Sequence, residues 1–138
     1  MTDFEKLEWA CGALNKHKHL ESSEWFVATL GFKWFAANLD GDEKLLAFEA
    51  IAIALALDEQ ARRKLPMSEQ AEWAAAELTS RVSSCAPWRA ASAQGSWFCS
   101  DKFGCVRWAK EAIAIAESLI RREMLGDTSD ANAKEVKS

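Results

Sequence analysis

The amino-acid sequence predicts an all-α fold, a single domain of about six helices formed by tandem duplication of a three-helix unit and arranged as a bundle or short α-solenoid. Two observations predict it. The chain repeats itself in order: Glu8-Trp9-Ala10 returns as Glu72-Trp73-Ala74, Leu14 as Leu78, Trp25 as Trp88 and Trp34-Phe35 as Trp97-Phe98. Glu49-Ala50-Ile51-Ala52-Ile53-Ala54 returns identically as Glu111-Ala112-Ile113-Ala114-Ile115-Ala116, and the offset falls only from 64 at Glu8/Glu72 to 62 at Glu49/Glu111. The second observation is that the Ala-rich segments are long and uninterrupted by Gly or Pro, which favours helix over the strand that alternating Ala and Ile would also fit. The repeat units span residues 3–64 and 67–125 of a domain ending at 126. Residues 127–138 lack apolar periodicity and are expected to be disordered.

Each unit is read as three helices. Thr2-Asp3-Phe4-Glu5 is a capping box opening the first. Ser22 or Ser23 caps a second holding Trp25, Phe26, Trp34 and Phe35. The turn from Asp40 to Glu43 breaks it, with Asp40 capping a third that runs to about Lys64. In the second unit Ser68 caps the fourth helix (67–85), and Pro87 opens a fifth holding Trp88 and Trp97. Ser100 or Asp101 caps the sixth, which reaches Leu125 and stops at Gly126. Six of the seven tryptophans form repeat-related pairs and are read as packing elements, so Trp34 and Trp97 are expected in the core. Trp108 has no Trp counterpart and stands opposite Leu46, which makes it a candidate partner anchor.

Composition narrows the function classes. A hydrophobic share of 49% fills a core without metal or disulfides. With 17 Lys and Arg against 21 Asp and Glu, the net charge of −4 supplies no excess cation for phosphate, so nucleic acid is not an expected partner. The apolar run Leu45–Leu57 contains Glu49 and is well short of the roughly 20 residues that span a bilayer, so no membrane role is expected. The first residues lack a secretory pattern, and a cytoplasmic location is expected. Cys11, Cys85, Cys99 and Cys105 are not spaced as zinc ligands, and His17-Lys18-His19 is read as a solvated helix end. Glu49 and Glu111 lack the Glu-x-x-His pattern of di-iron helices, and the stripe of Glu49, Ala52, Ala56, Glu59 and Arg63 is read as solvated. No nucleotide loop, nucleophile elbow or His-Glu-x-x-His motif is present. The expectation is therefore no enzyme, no cofactor and no metal.

The Trp-Phe, polar-break, Ala-rich pattern of Trp34-Phe35-Ala36-Ala37-Asn38-Leu39-Asp40 to Ala54, and again from Trp97 to Ala116, resembles small Ala- and Trp-rich helical bacterial proteins, some assigned as immunity proteins of secreted toxins. The resemblance covers about residues 3 to 125 and carries no functional residue. It implies a binding protein, a toxin inhibitor, with a helical adaptor or chaperone as the alternative. The units differ most at the acidic turn Asp40, Asp42 and Glu43, answered by Ser100, Asp101 and Lys102. Those acids, with Trp108, are the expected partner-binding residues, entering a basic toxin cleft and steering the encounter.

Overall fold

A computed structural model describes residues 1–21, 24–39, 43–82 and 87–126. It corrects the all-α expectation: the described residues form an α+β fold, with four α-helices and two three-stranded antiparallel sheets. The order is α1 (Asp3–Lys16), β1 (Trp25–Leu30), β2 (Lys33–Asn38), β3 (Lys44–Leu46), α2 (Ala47–Arg63), α3 (Met67–Arg81), β4 (Arg89–Ala93), β5 (Ser96–Ser100), β6 (Val106–Trp108) and α4 (Ala109–Leu125), with a short 3₁₀ turn at His19–Glu21. Helix, three strands, helix therefore occurs twice. The repeated element is not a three-helix unit, and neither a six-helix bundle nor an α-solenoid forms. Two compact units are present, Met1–Gln60 with the chain from Met124 onward, and Ala61–Glu123.

The segments read as second and fifth helices are β-hairpins, and the reason lies in two glycines. Gly31 has φ +65° between β1 and β2, the first central position of a two-residue loop that wants φ above zero there. Gln94 and Gly95, at φ +52° and +81°, both take the left-handed conformation that a type I′ hairpin needs. A helix through either glycine would lose about 1 kcal/mol relative to Ala, and the flanking Trp, Phe, Val and Thr suit a pleated surface. The register runs from Trp25 opposite Asn38 to Leu30 opposite Lys33, and from Arg89 opposite Ser100 to Ala93 opposite Ser96.

The last helix of each unit begins later than expected because a short strand takes its start. β3 pairs Phe35 with Leu46, and β6 pairs Phe98 with Trp108. Each helix then opens at the next residue. Glu49 Oε1 accepts from the Leu46 amide at 3.0 Å and Glu111 Oε1 from the Trp108 amide at 3.1 Å. These repeat-related carboxylates are thus helix caps. The Thr2 box is present, Glu5 N donating to Thr2 Oγ1 at 3.1 Å and Thr2 N to Glu5 Oε1 at 3.0 Å. α3 opens directly after Pro66 instead of at a Ser68 cap. Gly126, at φ +69°, follows the end of α4. Ser22, Ser23, Asp40, Asp42, Cys85 and the tail 127–138 lie outside the described residues.

The cores use equivalent positions. Leu7, Ala10, Cys11, Leu14, Trp25, Ala36, Ala50, Ile51 and Ala54 are buried in the first unit, and Ala71, Ala74, Ala75, Leu78, Trp88, Cys99, Ala112, Ile113 and Ala116 in the second. Helix and sheet are joined in each by a polar clamp. Asn15 Nδ2 donates to the Trp25 carbonyl at 3.1 Å while the Trp25 amide donates to Asn15 Oδ1 at 2.6 Å. In the second unit Thr79 Oγ1 takes the same place, accepting from the Trp88 amide at 2.8 Å. Trp25 and Trp88 are therefore the core tryptophans. Trp34, expected in the core, is 38% exposed and lies edge-on to Phe4, and Trp97 is half-buried. Glu59, placed on a solvated stripe by its helical position, is buried.

Candidate functional site

Side chains alternate across a strand, so the register decides what each sheet shows on the face away from its helix. In the second unit Cys99 points inward, wholly buried, its Sγ donating to the Ala71 carbonyl at 3.3 Å. The opposite face then carries the rows Arg89–Ser100–Val106 and Ala91–Phe98–Trp108. Phe98 and Trp108 pack with ring centroids 4.6 Å apart and planes at 31°. Trp108 is nevertheless 55% exposed. It is the last strand residue and also the residue whose amide Glu111 caps, so two elements hold its backbone.

Trp108 forms one wall of a groove of about 510 Å³, shared with Met67, Ser96, Trp97, Ala109 and Lys110. The first unit has a groove at the equivalent place, walled by Asp3, Lys33, Trp34, Leu46, Ala47 and Phe48. Its outer sheet face carries the row Ala28–Phe35–Leu46 flanked by exposed Phe26 and Leu30, together with exposed Lys33 and Lys44. An aromatic outer face beside a groove is thus a feature of the repeated unit.

The turns after β2 and β5 show where the offset loses its residue. Asn38 N bonds to the Glu43 carbonyl and Asp101 N to the Cys105 carbonyl, which makes Asn38 equivalent to Asp101. Asp101 is buried, its Oδ1 accepting from the amides of Phe103 (2.9 Å) and Cys105 (3.0 Å). It holds the turn and is not a counterpart of the acids at 40–43. Among the expected partner-binding residues, Glu43 and Trp108 are exposed and belong to different units, and Asp40 and Asp42 lie outside the described residues.

Chemistry outside these faces is limited. His17 is not a solvated helix end: its Nε2 lies 2.7 Å from Asp58 Oδ1 and the ring is half-buried. Among the described residues no group of three His, Cys, Asp or Glu side chains converges to hold a metal, and no helix is long and apolar enough to cross a membrane. Cys11 and Cys99 are buried free thiols, and Cys105 is exposed. Burial, and secondly the charge of Glu8, push the Cys11 thiol up to about 11, and burial raises Cys99. Thiolate is the reactive form. At pH 8 iodoacetamide should therefore label Cys11 and Cys99 only after denaturant is added. Peptide mapping by mass spectrometry checks this, and prompt labelling of Cys11 in the folded protein would contradict its burial.

The chain matches no known family model, no characterised protein and no solved structure.

Proposed function

We propose that the protein is a non-enzymatic binding module that acts by docking on another protein through the aromatic outer face of its sheets, with Trp108 as an anchor. The observation that carries this reading is a Trp more than half exposed yet fixed in place, by Phe98 against its ring and Glu111 on its amide. A large aromatic side chain left in water at a defined position loses little further entropy when a partner covers it, which is why Trp dominates binding hot spots. The specific form carried forward is an inhibitor that covers and neutralises a bacterial toxin, as the resemblance to immunity proteins implies.

Trp108→Ala tests it. The substitution should cost about 1 kcal/mol of stability, because the ring is largely exposed. Tagged wild-type protein recovered gently from its host should bring one protein in near-stoichiometric amount, and Trp108→Ala should lose it. Expressed alone, that protein should arrest growth, and wild-type but not Trp108→Ala protein should relieve the arrest. Turnover of a small molecule with no protein recovered would defeat the proposal.

A further inference from the structure

We infer that the outer face of the second sheet docks an acidic polypeptide segment bearing an apolar side chain, which enters the groove beside Trp108 while its carboxylates meet Arg89, Lys102 and Lys110. This deepens the protein-binding reading and rests on it. The chain as a whole is acidic, at −4. Yet the exposed charged side chains of residues 87–108 are Arg89, Lys102 and Arg107, all cationic, since Asp101 is buried, and of these Arg107, opposite Cys99, stands on the other face of the sheet. Lys110 adds a fourth at the groove wall, beside a Glu111 whose Oε1 is turned to the Trp108 amide. None of the four cations is in an ion pair among the described residues. Arg89 stands on the outer face by register, and Lys102 lines a cleft with it.

The fold does not ask for these charges. At the equivalent positions the first unit carries Phe26, Leu39, Leu45 and Phe48, apolar in every case. The same αβββα scaffold therefore forms without a cation at any of them, and the demand comes from outside the unit's own packing. Aromatic anchors with Arg at the rim are the composition of a protein-binding surface, and a ring of one charge selects a partner of the other sign. A single-stranded nucleic acid would also meet cations and aromatics. Its bases stack on ring faces, and Phe98 already covers one face of Trp108, with ring centroids 4.6 Å apart.

A random peptide library displayed on phage, selected on the whole protein, tests the inference. Peptides enriched on the wild type should carry Asp and Glu around an aromatic or aliphatic residue. A synthesised example should lose about tenfold or more in affinity on Trp108→Ala. It should lose a similar factor on the combined Arg89→Glu, Lys102→Glu and Lys110→Glu, and weaken as salt is raised even with unaltered protein, which requires no folded variant. Enrichment of neutral or basic peptides that still need Trp108 would overturn the acidic partner and leave the docking surface standing. Peptides indifferent to Trp108 would remove the surface as well, and no enrichment would overturn the inference. Labelled oligothymidylate that binds the wild type and not Trp108→Ala would give the face to nucleic acid. Sedimentation of the free protein as a dimer that Trp108→Ala returns to monomer would give it to a second copy of the chain.

Discussion

Replacing Trp25 by Ala is expected to lower the free energy of unfolding by about 3–5 kcal/mol, the range for truncating a buried Trp. Trp25 is 2% exposed, and its backbone amide and carbonyl are both held by Asn15. The strand therefore cannot shift far to fill the space, and the cavity remains. Trp34, with 38% exposure and an edge-on contact to Phe4 at 5.4 Å, should cost only about 1–2 kcal/mol when changed to Ala. Urea unfolding followed by far-UV circular dichroism compares the two without relying on the fluorophore removed. Equal midpoints for the two variants would mean that the strand bearing Trp25 closes over the gap.

That contrast marks where sequence reasoning about this chain succeeds and fails. The internal matches fall in α1 and α3, in the two hairpins and in α2 and α4, because Trp and the Glu-Ala-Ile-Ala-Ile-Ala block recur at nearly constant offsets whatever the secondary structure, while β3 and β6 carry no match. Helical ends also read directly, at the Thr2 box and at Gly126, since capping is local chemistry. Strands of five or six residues containing Ala36-Ala37 or Ala90-Ala91 offer too few positions for a period of two to stand out. Their Ala residues favour helix while the flanking aromatic and β-branched residues favour strand, and pairing decides between them. Gly31 and Gln94-Gly95 were the available signals, each a two-residue loop between aromatic-bearing segments. The same misreading hides the candidate surface. Trp108 is legible as the Trp without a counterpart, but that Phe98 and Arg89 share its face follows only from strand register. Glu59 reads as a solvated helix position because a helical wheel shows the spacing of a stripe and not what lies against it.

Glu117 supplies the second large effect. Arg62 Nη2 donates to Glu117 Oε2 at 3.0 Å, with the two side chains 11% and 10% exposed, and the Arg62 guanidinium lies 3.5 Å from the centroid of the Trp73 ring. Arg63, largely exposed, approaches Glu117 Oε1 only to 3.8 Å, beyond hydrogen-bond reach. Arg62→Ala would leave a buried carboxylate with only the exposed Arg63 beside it, at 3.8 Å, and uncover a face of Trp73. The expected cost is about 3–5 kcal/mol, the range for removing one partner of a buried pair. Arg62→Lys should recover only part of it, because an ammonium cannot lie flat on the indole while donating to the carboxylate. The pair as a whole is a different matter, since both charges were desolvated to form it. Arg62→Met combined with Glu117→Leu is expected to lie within about 1 kcal/mol of the wild type or above it. A double-mutant cycle by urea unfolding measures the coupling. If Arg62→Ala alone costs less than about 1 kcal/mol, water reaches Glu117 and the pair is a surface contact. If instead the double replacement is as damaging as the single one, the loss lies in the packing of Arg62 on Trp73 and not in the stranded charge.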